Sequence, residues 1–141
     1  MNKKNGYIII IVCIILSSLG TIINFIESNP KRKVFIEQMP KYAEEVNKNL
    51  PRILDHEIRC DFTSVPEYNT FQYNYTFINY SIEEINITEL KEQYYYEILD
   101  RIKNNDDLKI LKNNKITIVF QFKDKNGYEI FKFSYAYRDY K

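Results

Sequence analysis

No tryptophan occurs in the 141 residues, and only one histidine, two cysteines, three glycines and four prolines do. Each scarcity removes a class of function. Three glycines leave little for the loops that cradle phosphates, and neither G-x-x-x-x-G-K nor G-x-S-x-G is present. Two cysteines and one histidine fall short of a four-ligand zinc site unless carboxylates complete it, so no metal is expected. A strong charge of one sign is missing too. The net charge is +1, whereas a nucleic-acid binder carries a basic stripe, so no nucleic acid is expected as partner. No cofactor is expected.

Aromatic residues are what the chain has in excess: thirteen tyrosines and nine phenylalanines. They suit a pleated, half-buried sheet surface. Hydrophobic residues make up 45%, which excludes wholesale disorder, and the length holds one ordinary domain.

Lys3 and Lys4 precede an apolar run from Tyr7 to Ile26, interrupted only by Ser17, Ser18, Thr21 and Asn24 as hydrophilic side chains. A helix of that length spans roughly 30 Å, the thickness of a bilayer core. A removable signal peptide has a shorter apolar core and a small-residue cut site. Ser17-Ser18-Leu19-Gly20 leaves cleavage as the alternative. The basic residues Lys31, Arg32 and Lys33 on the far side nearly balance those on the near side, so the charge rule alone barely orients the segment. A short basic start before an apolar run has the layout of an export signal, which places the N-terminus in the cytoplasm. Residues 1–27 are therefore read as a membrane anchor or uncleaved signal, 28–39 as a basic linker and 40–141 as a single α+β domain.

Pro40 opens an expected helix to Asn49, with Met39, Ala43, Val46 and Leu50 at helical spacing and Pro51 ending it. Leu54, His56, Ile58, Cys60 and Phe62 alternate with polar residues and predict a strand. After a turn at Val65–Asn69, Phe71, Tyr73, Tyr75 and Phe77 predict its hairpin partner. Ser81 to Glu84 has capping-box spacing, Thr88 is a second candidate cap, and Leu90, Tyr94, Ile98 and Ile102 predict a helix over 88–103. Ile116, Ile118, Phe120 and Phe122, the turn Asp124–Gly127, then Phe131, Phe133, Tyr135 and Tyr137 predict a second hairpin. The expected fold is α+β: a four-stranded antiparallel sheet of two hairpins with helices on one face, plus one N-terminal transmembrane helix. Phe71, Tyr73, Tyr75, Phe120, Phe131 and Phe133 should share the covered face with Ala43, Val46, Leu90 and Ile98.

Val46-Asn47-Lys48-Asn49-Leu50-Pro51, Leu54-Asp55, Ile58-Arg59-Cys60-Asp61, Asn69 to Thr76 and the closing Leu108 to Gly127 segment together resemble a family of small, largely uncharacterised bacterial envelope proteins. The likeness covers roughly residues 40 to 138. It implies an N-terminal signal or anchor, export and the order α-β-β-α-β-β, and it implies no catalytic residues. Members of that family often carry one cysteine just after the second helix and another near the C-terminus, implied to pair. This sequence has Lys103 and the residues around Tyr140 there.

His56, with Asp55, Glu57 and Cys60 nearby, could be read as a Cys/His nucleophile pair. On a strand, four residues put His56 and Cys60 about 13 Å apart, beyond hydrogen-bond reach. His56 is thus expected on the packed side and Cys60 as a buried free thiol, with an intermolecular disulfide as the alternative. Glu44-Glu45, Glu83-Glu84 and Asp106-Asp107 are adjacent carboxylates that point in different directions, as solvated or dipole-matched charges do. The three N-x-S/T sites at Asn74, Asn79 and Asn86 are expected by chance in an asparagine-rich chain. No catalytic residue is expected. Tyr94, Tyr95 and Tyr96 cover about 200° of a helix, so at least one ring should face solvent; these three are the candidate interface.

The expected protein is a non-catalytic domain anchored in the bacterial inner (cytoplasmic) membrane, on the exported side, binding an envelope protein or a cell-wall partner. The alternative is a small enzyme or inhibitor with a ligand site between helix and sheet.

Overall fold

The computed structural model describes residues 32–54 and 56–141. The expected anchor over 1–27, Cys13, the start of the linker and Asp55 lie outside the described residues. Among the described residues no helix is long and apolar enough to cross a membrane.

Helix α1 spans Arg32–Asn47, so it begins about two turns before Pro40 and takes up most of the stretch read as linker. Its buried residues Phe35, Ile36, Met39, Tyr42, Ala43 and Val46 fall three or four apart and form one stripe. Pro40 sits inside the helix on its exposed side. An interior proline costs about 3 kcal/mol. Burial of Phe35, Ile36 and Met39 contributes about 1.5–3 kcal/mol each and carries the helix through it.

The chain continues through β1 (Arg52–Ile53), β2 (Ile58–Ser64), β3 (Thr70–Phe77), a 3-10 turn at Ile82–Glu84 and α2 (Ile87–Asn104). A second 3-10 turn, Asp106–Leu108, leads into α3 (Lys109–Asn113), then β4 (Thr117–Lys123), β5 (Glu129–Tyr135) and α4 (Tyr137–Tyr140). Asn86, not Thr88, caps α2: its side chain accepts from the Glu89 N–H. Tyr137, expected in the last strand, begins α4 instead, and Tyr140 turns inward so that its hydroxyl donates to the Ile116 carbonyl.

The sheet has five strands in the order β1-β2-β3-β4-β5. It is mixed, not the expected four-stranded antiparallel sheet: β3 and β4 run parallel, in register from Thr70↔Thr117 to Thr76↔Lys123. The remaining pairs are antiparallel. The reason is α2. Its 18 residues rise about 27 Å, enough to return the chain along the eight-residue β3, so that β4 starts at the same end.

Register puts Phe71, Tyr73, Tyr75 and Phe77 on one face with Ile118, Phe120, Phe122, Phe131, Phe133 and Tyr135. All are buried, in one core with Ala43, Val46 and Ile98, and Leu90 packs against it. The rings pair closely: Tyr42 with Phe71 at 5.3 Å, Tyr73 with Phe120 at 5.3 Å, and Phe131 with both Phe122 and Phe133 at 4.9 Å. Both long helices therefore lie on this face. The opposite face is polar. Gln72 Nε2 donates to the side-chain oxygens of Asn74 (2.7 Å) and Gln121 (2.8 Å), and Thr76 Oγ1 donates to Asp61 (2.6 Å).

A bulge in β2 resets its alternation. Cys60 opposes Tyr75 but Phe62 opposes Asn74, so Asp61 is the extra residue. Phe62 is thereby turned to the polar face, 46% exposed, and Thr63 takes the core position. Asn47, the last residue of α1, reaches this point. Its amide accepts from Thr63 N–H (2.6 Å) and donates to the Thr63 carbonyl (2.8 Å).

Candidate interaction surface

The three consecutive tyrosines of α2 diverge by about 100° per residue and end in three environments. Tyr94 is 3% exposed and meets Phe122 at 5.7 Å and Phe131 at 6.0 Å. Tyr95 is half-buried against Phe133 (5.7 Å) and Tyr135 (5.3 Å) of β5, and its carbonyl accepts from the Tyr135 hydroxyl (2.8 Å). Tyr96 is 72% exposed and stands edge-on to Tyr95 at 5.3 Å. Glu92 and Asp100, one turn to either side, are exposed as well. Tyr96 is thus an exposed aromatic ring flanked by acidic residues, with Tyr95 as its ring neighbour.

Tyr95, beneath that ring, packs on an edge strand. β5 is last in the sheet, and among the described residues no strand pairs with its far side. Alternate residues of Glu129–Tyr135 turn their backbone N–H and C=O groups to that side, the others bonding β4, and Glu129, Lys132 and Ser134 are the exposed side chains. Such a row is a template for a further strand. The other edge is different: β1 is two residues long, and the Asn47 amide occupies the Thr63 backbone beyond it. The helical angle of Tyr96 was readable from sequence. The β5 edge was not, because it depends on strand order.

The remaining sequence candidates do not come together. His56 is exposed in the turn between β1 and β2, not on the packed side of a strand, and its carbonyl accepts from the Asn79 amide. Alternation placed it wrongly because the chain reverses there: Leu54 N–H donates to the Ile58 carbonyl at 2.9 Å. Cys60 is buried and free, and burial, with Asp61 nearby, pushes its thiol up to about 12. Burial also raises Tyr42, Tyr73 and Tyr75. None of these groups is poised as a nucleophile. Of the acidic pairs, Glu45 bonds Lys48 at 2.6 Å, Glu84 accepts from the Ser81 N–H at 2.7 Å, and Asp107 is raised by desolvation with Asp106 beside it. Among the described residues no cluster of histidine, cysteine and carboxylates could hold a metal ion.

Residues 35–131 match the family called Domain of unknown function (DUF8479), and the chain belongs to that family. No curated protein matches the sequence. Three solved structures share the fold. A Pseudomonas aeruginosa protein described as a candidate secreted protein superposes with a TM-score of 0.65 at 14% identity, covering 79% of this chain and 97% of that one. The type II secretion system pilotin AspS of Vibrio cholerae gives 0.58 at 11% identity, over 77% and 94% of the two chains. The pilotin EpsS of the Vibrio vulnificus type 2 secretion system gives 0.59 at 10% identity, over 80% and 98%. At these identities the likeness is one of fold.

Proposed function

We propose that this chain is a membrane-tethered, non-catalytic domain of the bacterial envelope that binds an extended segment of a protein partner along β5. The observation that carries the reading is the open edge of the seven-residue β5, on which α2 packs through Tyr95, with Tyr96 exposed next to it on the helix. Backbone pairing supplies affinity in such a mode, and side-chain contacts supply selectivity. Tyr96 offers an aromatic contact, and Glu92 and Asp100 favour a segment with a basic residue next to an apolar one. The tether is the Tyr7–Ile26 run, and the exported, envelope setting accords with the fold shared with the pilotins and the candidate secreted protein.

Photo-crosslinking in cells tests it. A photoreactive phenylalanine at position 96 or 132 should give an adduct with one and the same envelope protein, and Tyr96→Ala should abolish the adduct formed from position 132. A probe at Glu67, exposed in the β2–β3 turn, should give none. No adduct at either site, or an adduct of the chain with itself, overturns the reading.

A further inference from the structure

The start of α1, the α3–β4 turn and α4 meet at one end of the domain. Arg32 Nε donates to the Asn114 carbonyl at 2.9 Å. Next to Asn114, Lys115 lies over the Tyr137 ring, 5.2 Å from its centroid. Tyr140 is bonded to the Ile116 carbonyl and feels the Arg32 charge. Three segments far apart in sequence thus gather Arg32, Lys33, Lys115 and Arg138 on one end, around the partly exposed Tyr137. Lys33 and Arg138 have side chains 82% and 84% exposed. Two carboxylates oppose them. Glu37 pairs loosely with Lys33 at 4.0 Å, and Asp139 lies 3.7 Å from Arg138 while accepting from the Ala136 N–H at 2.8 Å. The balance at this end is positive, although the whole chain is nearly neutral.

The chain also enters the domain here. Arg32 begins a helix whose first buried residue is Phe35, so the rigid body starts almost at once. Only residues 27–31 separate it from the apolar run that ends at Ile26. Even fully extended, that connection reaches about 20 Å. So short a connection lets this end come within one Debye length of the headgroups, about 8 Å at physiological salt, where its charges act.

We propose that this basic end docks on anionic lipid headgroups and fixes the orientation of the domain on the membrane, with Lys33, Lys115 and Arg138 at the lipid and Tyr137 among them. Cations close to an anionic leaflet are attracted to it, and an amphipathic ring suits the headgroup level. The proposal rests on the tether reading above. Docking leaves the β5 edge to the side of the contact, free for a protein segment.

The full chain in nanodiscs tests it, with amine labelling of lysines as the readout. In purely phosphatidylcholine discs the chain should incorporate, and Lys33 and Lys115 should label as fast as Lys91 on α2. In discs with about a third phosphatidylglycerol, labelling of Lys33 and Lys115 should slow at least threefold relative to Lys91, and 0.5 M salt should restore it. The double variant Lys33→Glu/Arg138→Glu should restore Lys115 labelling without salt. Failure to incorporate into neutral discs overturns the tether and the docking together. Incorporation with lysine labelling indifferent to lipid charge, or protection that persists in the double variant, overturns the docking alone.

Discussion

Tyr94, Tyr95 and Tyr96 pass from core to solvent within one helical turn, and a residue-scale reading of the chain rests on such angles. Burial of the aromatic face was legible residue by residue: Phe71, Tyr73, Tyr75, Phe120, Phe131 and Phe133 were each placed on the covered face by simple alternation, and each is buried there. Alternation failed where one residue was added or a turn intervened. Asp61 pushes Phe62 outward, and the reversal after Ile53 leaves His56 in the open. Neither event has a glycine or proline at that point to announce it. Phe133 and Lys132 give the sharpest comparison, as neighbours on opposite faces of β5. Phe133→Ala should cost about 3–5 kcal/mol, while Lys132→Ala should stay within about 0.5 kcal/mol of the parent chain. Chemical denaturation in mild detergent measures both, and equal effects would contradict the face assignment.

Elements were found more reliably than the way they pair. Both hairpins and the second helix were legible because apolar periods of two and near four survive in the sequence. Parallel and antiparallel strands carry the same period, so the β3–β4 pairing was not legible. What holds that crossover at its start is the tip of the last hairpin. Asp124 accepts from Asn126 N–H (2.9 Å) and Tyr128 N–H (2.8 Å), and across to Ile82 N–H (3.0 Å), while Lys125 Nζ bonds Glu84 (3.0 Å). The Ser81 backbone N–H and Lys125 hold the Glu84 carboxyl down at about 2. Burial pushes Asp124 up, but its N–H donors outweigh that and the carboxyl lies below its ordinary 3.8. Both groups ionise more readily in the folded chain. Their contribution is therefore complete above the ordinary carboxylate values of 3.8 and 4.5 and is lost as pH falls toward about 2. Denaturation midpoints followed from pH 7 to pH 2 should drop below about pH 4. The drop should shrink in Asp124→Asn, which is already weaker at pH 7. A pH-independent midpoint would contradict the clamp.

At the scale of the whole molecule, the chain is read as an exported domain on a short tether. Reporter fusions after Lys141 decide the topology: an export-dependent reporter should be active and a cytoplasm-only reporter silent. The mature N-terminus should lie before Gly20, and a start beyond it would mean the segment is cleaved. The strand order gives the sheet two unlike ends. On one side lie the two-residue β1, the Asp61 bulge and the Asn47 amide; on the other lies the uncovered β5. A strand that adds to β5 finds no equivalent acceptor on the opposite side of the next copy, so head-to-tail growth cannot propagate. An added strand therefore ends the series: under the proposed reading each domain takes up a strand on one side, and neighbouring tethered copies do not template one another into fibres.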